Sequence, residues 1–492
     1  MIASAQSFVI IDGVYYKLMP GTKEAEVTSK APRWFYTGDV VIPSTVVYED
    51  SEYRVTSIGD GAFYKSTELN SVTIPNSVTS IGNSIFSGCT GLTSIVVEEG
   101  NSKYDSRENC NAIIETASDK LLFGCQNTVI PNSVTSIESS AFNGCSGLAS
   151  IIIPNGVTDI GENAFAGCSG LTYVTIGSGV TSIGKNAFND CGSLTKVEIN
   201  NNSIVSKRYK YENMISIKDI FGIQVKEYVL GEEVTSIGDG AFCYCTNLIS
   251  VHMSDNVTSI GIQAFFYCYE LTSIHMSDNL TIIGELAFYN CYHLSSITIP
   301  AGVTSLDQSQ FGGCGGFRKV EIYSNAIVSK EYHSGFSMSS FFGYQVEEYV
   351  LGEEVTSIGQ YAFSGCGQLS SINIPSHVTN IGEGAFFSCT GLTSITIPGT
   401  VTSIGENAFH NCYGLMSIQV EGGNTVYDSR DNCNALIKTA DNTLMLGCQN
   451  TVIPNTVTSI GDNAFYCCAG LTSISIPNSV THIGYCAFQS CI

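Results

Sequence analysis

The string VTSIG and its close variants recur fourteen times along the 492 residues, from Val55 to Val480, and within each uninterrupted run the interval is 23 residues. A fixed period of this length constrains the fold more than any other feature. It lies in the range of leucine-rich repeats, where each unit forms one coil that cannot bury its apolar face alone and must stack on its neighbours. The usual division of a long chain into globular domains of about 150 residues therefore gives way to an array.

One coil can be read from LTSIVV at 92–97, where Ile95 and Val97 alternate with Ser94 and Val96. Alternation at period two is a strand, and stacked coils should pair such strands in parallel along one face. IPN ends the strand, since Pro75 or Pro154 has no N–H for the ladder. SVTSIG then reads as a second, short extended segment, and NAF or GAF as a compact turn of 3₁₀ or α type. Phe occupies the same place in all fourteen units, from Phe63 to Phe488, and Ala precedes it in twelve. The rings should stack one per coil and form a core spine.

Hydrophobic residues make up 43% of the chain and charged residues 13%, which excludes a disordered chain. The formal charge of −23 excludes a nucleic-acid surface, which needs clustered Lys and Arg. No apolar run is long enough to span a bilayer. Ala3-Ser4-Ala5 before Gln6 has the small-x-small pattern of a signal-peptidase site, so residues 1–5 are expected to be the remnant of a trimmed export signal.

Thirteen of the twenty cysteines share one repeat position, among them Cys89, Cys168, Cys268 and Cys412. Such a column reads as small buried thiols, with no metal or redox role. Cys110 and Cys125 lie symmetrically about TASD, and Cys433 and Cys448 about TADN. Each pair can face across a hairpin as a disulfide, or sit in the core as free thiols.

Four breaks in the rhythm, near 101–133, 200–233, 323–354 and 424–456, come as two related pairs: YDSRENCNAII with YDSRDNCNALI, and KVEINNNSIVSK with KVEIYSNAIVSK. They are expected to continue the array while adding hairpins or loops, each closing in a strand at TVIP or EYVL. Residues 6–54 lack the repeat but are rich in β-branched and aromatic residues, and should form a β-rich cap before a solenoid over 55–492. A cap at the far end is missing, so the natural protein is expected to run on past Ile492.

The motif LTSITIPGTVTSIGENAFHNC at 392–412 resembles the BspA-like leucine-rich repeats, and the likeness extends over about nine-tenths of the chain. DGVYYKL and the following VVIPSTVVYEDSEYRVTSIGDGAF resemble the cap that precedes such repeats in gut and oral Bacteroidetes. The resemblance implies a right-handed α/β solenoid, mainly β in content, on a secreted or surface-exposed protein at the outer face of a Gram-negative bacterium. It further implies adhesion to host matrix proteins, other host surface proteins or microbial partners.

No HExxH, GxSxG, phosphate-binding loop or dinucleotide fingerprint occurs, and neither an enzyme site nor a cofactor is expected. The exposed strand column containing Ser71, Ser94 and Ser250 is Ser in ten of thirteen units; Tyr173, Lys196 and Lys319 depart from it. Glu198, His252, His275 and Glu321 stand out two residues further on. Lys196 with Glu198, and Lys319 with Glu321, can pair charge across neighbouring coils, each for under about 1 kcal/mol. His252 and His275 are neighbours by one period, either as surface residues or as a two-His metal site. The sharper expectation is that these seven residues anchor an extracellular protein on a monomer's concave face. Glycan binding by an accessory module is the alternative and would call for clustered exposed aromatics; Trp34 is the single Trp.

Overall fold

The computed structural model describes residues 7–29, 35–210, 215–333 and 335–491. The expected signal remnant at 1–5 and Trp34 lie outside them. Two compact units result: Met1–Lys207 with Ile215–Val234, and Arg208–Met214 with Thr235–Ile492. Both are stacks of coils, mostly short strands and hydrogen-bonded turns with a few one-turn helices, which is the architecture of a leucine-rich-repeat solenoid.

In the first unit the strands Ser7–Ile11, Val14–Met19 and Glu24–Val27 form an antiparallel meander. Its last strand runs parallel to Ser51–Ile58, which also pairs antiparallel with Thr45–Tyr48. Ser51–Ile58 hands the ladder to Ser80–Ile81, at the second extended segment of the next coil. Thr37–Val41 meanwhile starts the main parallel face by pairing with Glu68–Ile74. Backbone polar groups of the first coil thus find partners in non-repeat sequence.

Parallel register then advances by one period per coil. Ser150–Ile153 lies against Tyr173–Ile176 and that strand against Lys196–Ile199; in the second unit Ser357–Ile358 lies against Asn380–Ile381. Alternation does what the pattern demands, as Ile151, Ile153, Val174 and Ile176 are all buried and Ser150 and Ile152 exposed.

The NAF segment is neither α nor 3₁₀ helix but a chain of tight turns. Ala164 N donates to Gly161 O and Cys168 N to Phe165 O, at 3.3 and 3.2 Å. Two left-handed residues per turn, here Asn163 (φ 55°) and Gly167 (φ 75°), stop any helix from propagating. The freed amides reach the next coil instead, as in Phe142 N to Ala164 O at 2.7 Å. The turns therefore stitch coils together.

Phe rings stack as the repeat requires. Phe142, Phe165 and Phe188 follow one another at 4.8 and 5.0 Å, and Phe242, Phe265 and Phe288 at 5.0 and 5.1 Å. Where the rhythm breaks, the one-turn helices Lys218–Phe221 and Met338–Phe342 supply Phe221 and Phe342, which extend the spine from Phe188 and Phe311. Beside the spine, the ladder cysteines of regularly spaced coils donate their thiols to the carbonyl of the Phe 26 residues earlier, as in Cys168 to Phe142 and Cys268 to Phe242, both at 3.1 Å, while Cys145, which follows an insertion, turns to Gly124 O at 3.8 Å. A residue here must be small, apolar enough to bury and able to satisfy a carbonyl, and cysteine meets all three conditions. Burial pushes the thiols of Cys89, Cys191 and Cys412 up to about 12.

The insertions near 101–133 and 424–456 are hairpins. Ala112–Glu115 pairs with Lys120–Gly124 and Ala435–Lys438 with Thr443–Gly447, each with one irregularity in register. The EYVL segments are strands, Glu227–Leu230 and Glu348–Leu351, but TVIP is not. Lys120–Gly124 already carries the ladder on to Ser136–Ile137. TVIP instead closes the hairpin base, with Val129 N on Cys110 O and Thr128 Oγ1 donating to Asn111 O. The cysteines of both pairs are buried free thiols: Cys110 and Cys433 face the carbonyls of Ala112 and Ala435, while Cys125 and Cys448 face those of Asn111 and Asn434.

Candidate recognition surfaces

The strand face of the first unit gathers three of the singled-out residues. Tyr173 and Lys196 are directly opposed on paired strands, Thr175 opposes Glu198, and Lys196 opposes Glu227. Lys196 Nζ sits 2.9 Å from Glu227 Oε1 and 5.9 Å from the centre of the Tyr173 ring. The Tyr173 hydroxyl donates to Glu198 and accepts from Thr175 Oγ1 at 3.0 Å. Asn200 Nδ2 holds the other Glu198 oxygen at 3.1 Å. Burial, reinforced by the bond to Glu198, raises the Tyr173 hydroxyl above its ordinary range, and the bond to Glu227 raises the Lys196 ammonium. All of these side chains are only partly covered, so they form a charged, preset patch on an otherwise small-residue sheet. Glu227 belongs to it and was not visible as a candidate, because an insertion separates it from the regular spacing.

In the second unit His252 and His275 are register partners and both are exposed. Among the described residues no group of three or more His, Cys, Asp or Glu converges as a metal site would require. The same repeat column continues in sequence to Thr298 and Glu321. Lys319 pairs with Glu321 of its own strand at 2.8 Å, not with the next coil as Lys196 does. The reason is local, since i and i+2 share a strand face and Tyr323 and Thr298 hold Glu321 from either side, at 3.1 and 3.3 Å. The Lys319 ammonium, with these two hydroxyls, keeps the Glu321 carboxyl below its usual range.

A second surface went unnoticed in the sequence because its residues hide inside the AFxxCx turn. Tyr244 stacks on Tyr267 at 5.1 Å, Phe266 on Tyr289 at 5.4 Å and Tyr269 on Tyr292 at 5.3 Å. Edge-on contacts lock the rows together, the shortest between Phe266 and Tyr267 at 4.3 Å. Tyr244 and Tyr267 hold left-handed backbone, φ 58° and 60°, at a place where most other coils carry Gly, Asn, Asp or Ser. Bulky residues rarely accept that conformation. FFYCY at 265–269, set beneath FCYCT at 242–246 and above FYNCY at 288–292, carries the columns.

No helix among the described residues is long and apolar enough to cross a membrane. No curated protein matches the chain. Its fold is similar to that of a leucine-rich repeat protein of Bacteroides ovatus, at 24% identity over 98% of this chain and 92% of that one, with a TM-score of 0.30. It is also similar to a leucine rich cell surface protein of Faecalibacterium prausnitzii, at 25% identity over 85% and 96% with a TM-score of 0.23. The pneumococcal vaccine antigen PcpA matches at 17% over 82% and 99%, with a TM-score of 0.29. The family model of the BspA type leucine rich repeat region matches residues 48–118, 122–229, 221–335, 334–439 and 445–492. With period, Phe spine and parallel ladders all accounted for by that repeat, the chain belongs to the BspA-type leucine-rich-repeat family.

Proposed function

We propose that this chain is an exported, surface-exposed bacterial protein that recognises an extracellular protein without enzymatic chemistry, as a monomer, through the exposed face of its strands. The observation that carries the reading is the Tyr173–Lys196–Glu198–Glu227 cluster. Its side chains are held by one another before any partner arrives, so little ordering entropy is lost on binding. A serine-dominated sheet around it offers flat area without competing features. His252 with His275, and Lys319 with Glu321, are the further anchors on the strand face of the second unit. Family membership supports export, and the acidic charge argues against nucleic acid.

The test is binding of the purified chain to arrays of matrix proteins, host surface proteins, mucins and glycans, beside a Tyr173→Ala/His252→Ala/His275→Ala variant. Saturable binding to a protein that the variant loses supports the reading; protein binding indifferent to the variant sinks it. A second reading, glycan recognition, is favoured by the aromatic rows from Tyr244 to Tyr292. Tyr rings join an apolar body to a hydroxyl, as sugar binding requires. Binding confined to glycans, and lost with Tyr267→Ala/Tyr292→Ala, would replace the first reading by the second.

A further inference from the structure

The two hairpin insertions share sequence and topology, yet one carries a ring contact where the other borders a cavity. In the first unit the Phe123 ring meets Phe86 edge-on, with centres 6.1 Å apart. Ile85 is fully buried beside them, and Lys120 and Glu138 close the adjoining edge with an ion pair of 3.0 Å. The corresponding residues of the second unit are Leu446, Ala408, Thr443 and Gly461. Every one of the four is smaller than its counterpart. All four line a cavity of about 410 Å³ between the coil at 401–415 and the strands Ala435–Lys438 and Thr443–Gly447.

The mouth changes in the opposite sense. Ser87 Oγ donates to Asn143 Oδ1 at 2.8 Å and Gly88 N to Asn143 O at 3.4 Å in the first unit, tying the two coils together. In the second unit His410 and Tyr466 stand at the places of Ser87 and Asn143, their rings stacked at 4.3 Å. Tyr413 and Cys467 replace Thr90 and Gly144. Bulk has thus been taken from the interior and placed at the rim, which a random loss of packing would not do. Phe409 stacks on Phe386 at 5.3 Å and, among the described residues, meets no second ring where Phe86 meets Phe123.

We propose that this cavity binds a small uncharged aromatic molecule of one or two rings, which takes the place that Phe123 fills in the sister coil. The volume lies within the range of about 300–1,000 Å³ typical of small-molecule sites. Phe409, Leu415, Leu436 and Leu446 supply an apolar floor against which a flat ring can bury its face. An anionic ligand is disfavoured by Glu406 and Asp462 at the lining, while Tyr413 and Tyr466 offer hydroxyls to a polar substituent. Burial lowers the His410 imidazole below its ordinary range, so it meets the ligand as a neutral ring at neutral pH. The site is independent of the strand-face reading and survives its failure.

Calorimetric titration of the whole chain with indole, and with indole-3-acetate as the anionic comparison, tests the proposal. Indole is expected to bind saturably at one site per chain, and indole-3-acetate at least tenfold more weakly. Ala408→Ile/Leu446→Phe, which installs the sister residues, should weaken indole at least tenfold while the circular dichroism spectrum is unchanged. His410→Ser/Tyr466→Asn, which restores the sister rim and leaves the floor intact, serves if the filled variant fails to fold, and should also weaken binding. Absence of saturable indole binding to the folded chain, or an affinity indifferent to both variants, would overturn the site. Equal affinity for the anion would overturn its assignment to an uncharged ligand.

Discussion

Truncating one ring of the Phe spine tests whether the array is held by coil-to-coil stacking. Phe265 is fully buried, with Phe242 at 5.0 Å on one side and Phe288 at 5.1 Å on the other, both nearly parallel to it. Phe265→Ala removes the transfer free energy of the ring and leaves a cavity that the turns on either side, hydrogen-bonded across coils, cannot collapse. Such a change costs about 3–5 kcal/mol, with each ring pair accounting for about 0.5–1.5 kcal/mol of it. Phe488 is only half-buried and, among the described residues, stacks on Phe465 alone, at 5.0 Å. Phe488→Ala should therefore cost less than half as much. Urea unfolding followed by far-ultraviolet circular dichroism measures both, and since coils contact only their neighbours, the Phe265 variant should also broaden or split the transition. Equal losses for the two variants, or a loss below about 1 kcal/mol at Phe265, would refute spine stacking as the source of cohesion.

Thiol titration in denaturant without reductant should find all twenty cysteines free; a shortfall of four would mean that Cys110–Cys125 and Cys433–Cys448 are bonded. In the native protein the ladder thiols should resist alkylation near pH 8, because burial holds them up to about 12 at positions such as Cys366. Gly124→Ala should destabilise by about 1–3 kcal/mol, since the added methyl would lie 2.1 Å from the Phe142 ring, as read by the shift of the urea midpoint. Glu321 has its folded carboxyl lowered, so its contribution is present above the ordinary carboxylate range and fades as pH falls through the lowered value. On a partly exposed pair that contribution stays under about 1 kcal/mol, and Glu321→Gln should abolish that part of the acid dependence of the urea midpoint.

Repeat physics explains what was legible in the chain and what was not. Strand faces, the Phe spine and the thiol column are each one residue type at one period, so they could be read from VTSIG spacing without coordinates. The hairpin about TASD was equally plain, because its strands alternate and its turn is polar. TVIP misled, since β-branched residues beside Pro131 look like a strand but here satisfy the hairpin base through Thr128 and Val129. The NAF segment misled because left-handed residues such as Asn163 and Gly167, which prevent helix, are visible only as unremarkable Asn and Gly. Partners that depend on an insertion, such as Lys196 with Glu227, lie off the period, and the aromatic rows sit in positions that vary from coil to coil. The hollow beside Leu446 emerges only when the two hairpins are compared residue by residue in space.

The most direct test of strand-face recognition is hydrogen–deuterium exchange of the chain alone and saturated with the protein partner that the arrays identify. Protection confined to peptides covering 173–176, 196–199, 250–252 and 273–275 is the expected result. Protection confined to the turns at 242–246, 265–269 and 288–292, with those strands unchanged, would contradict it.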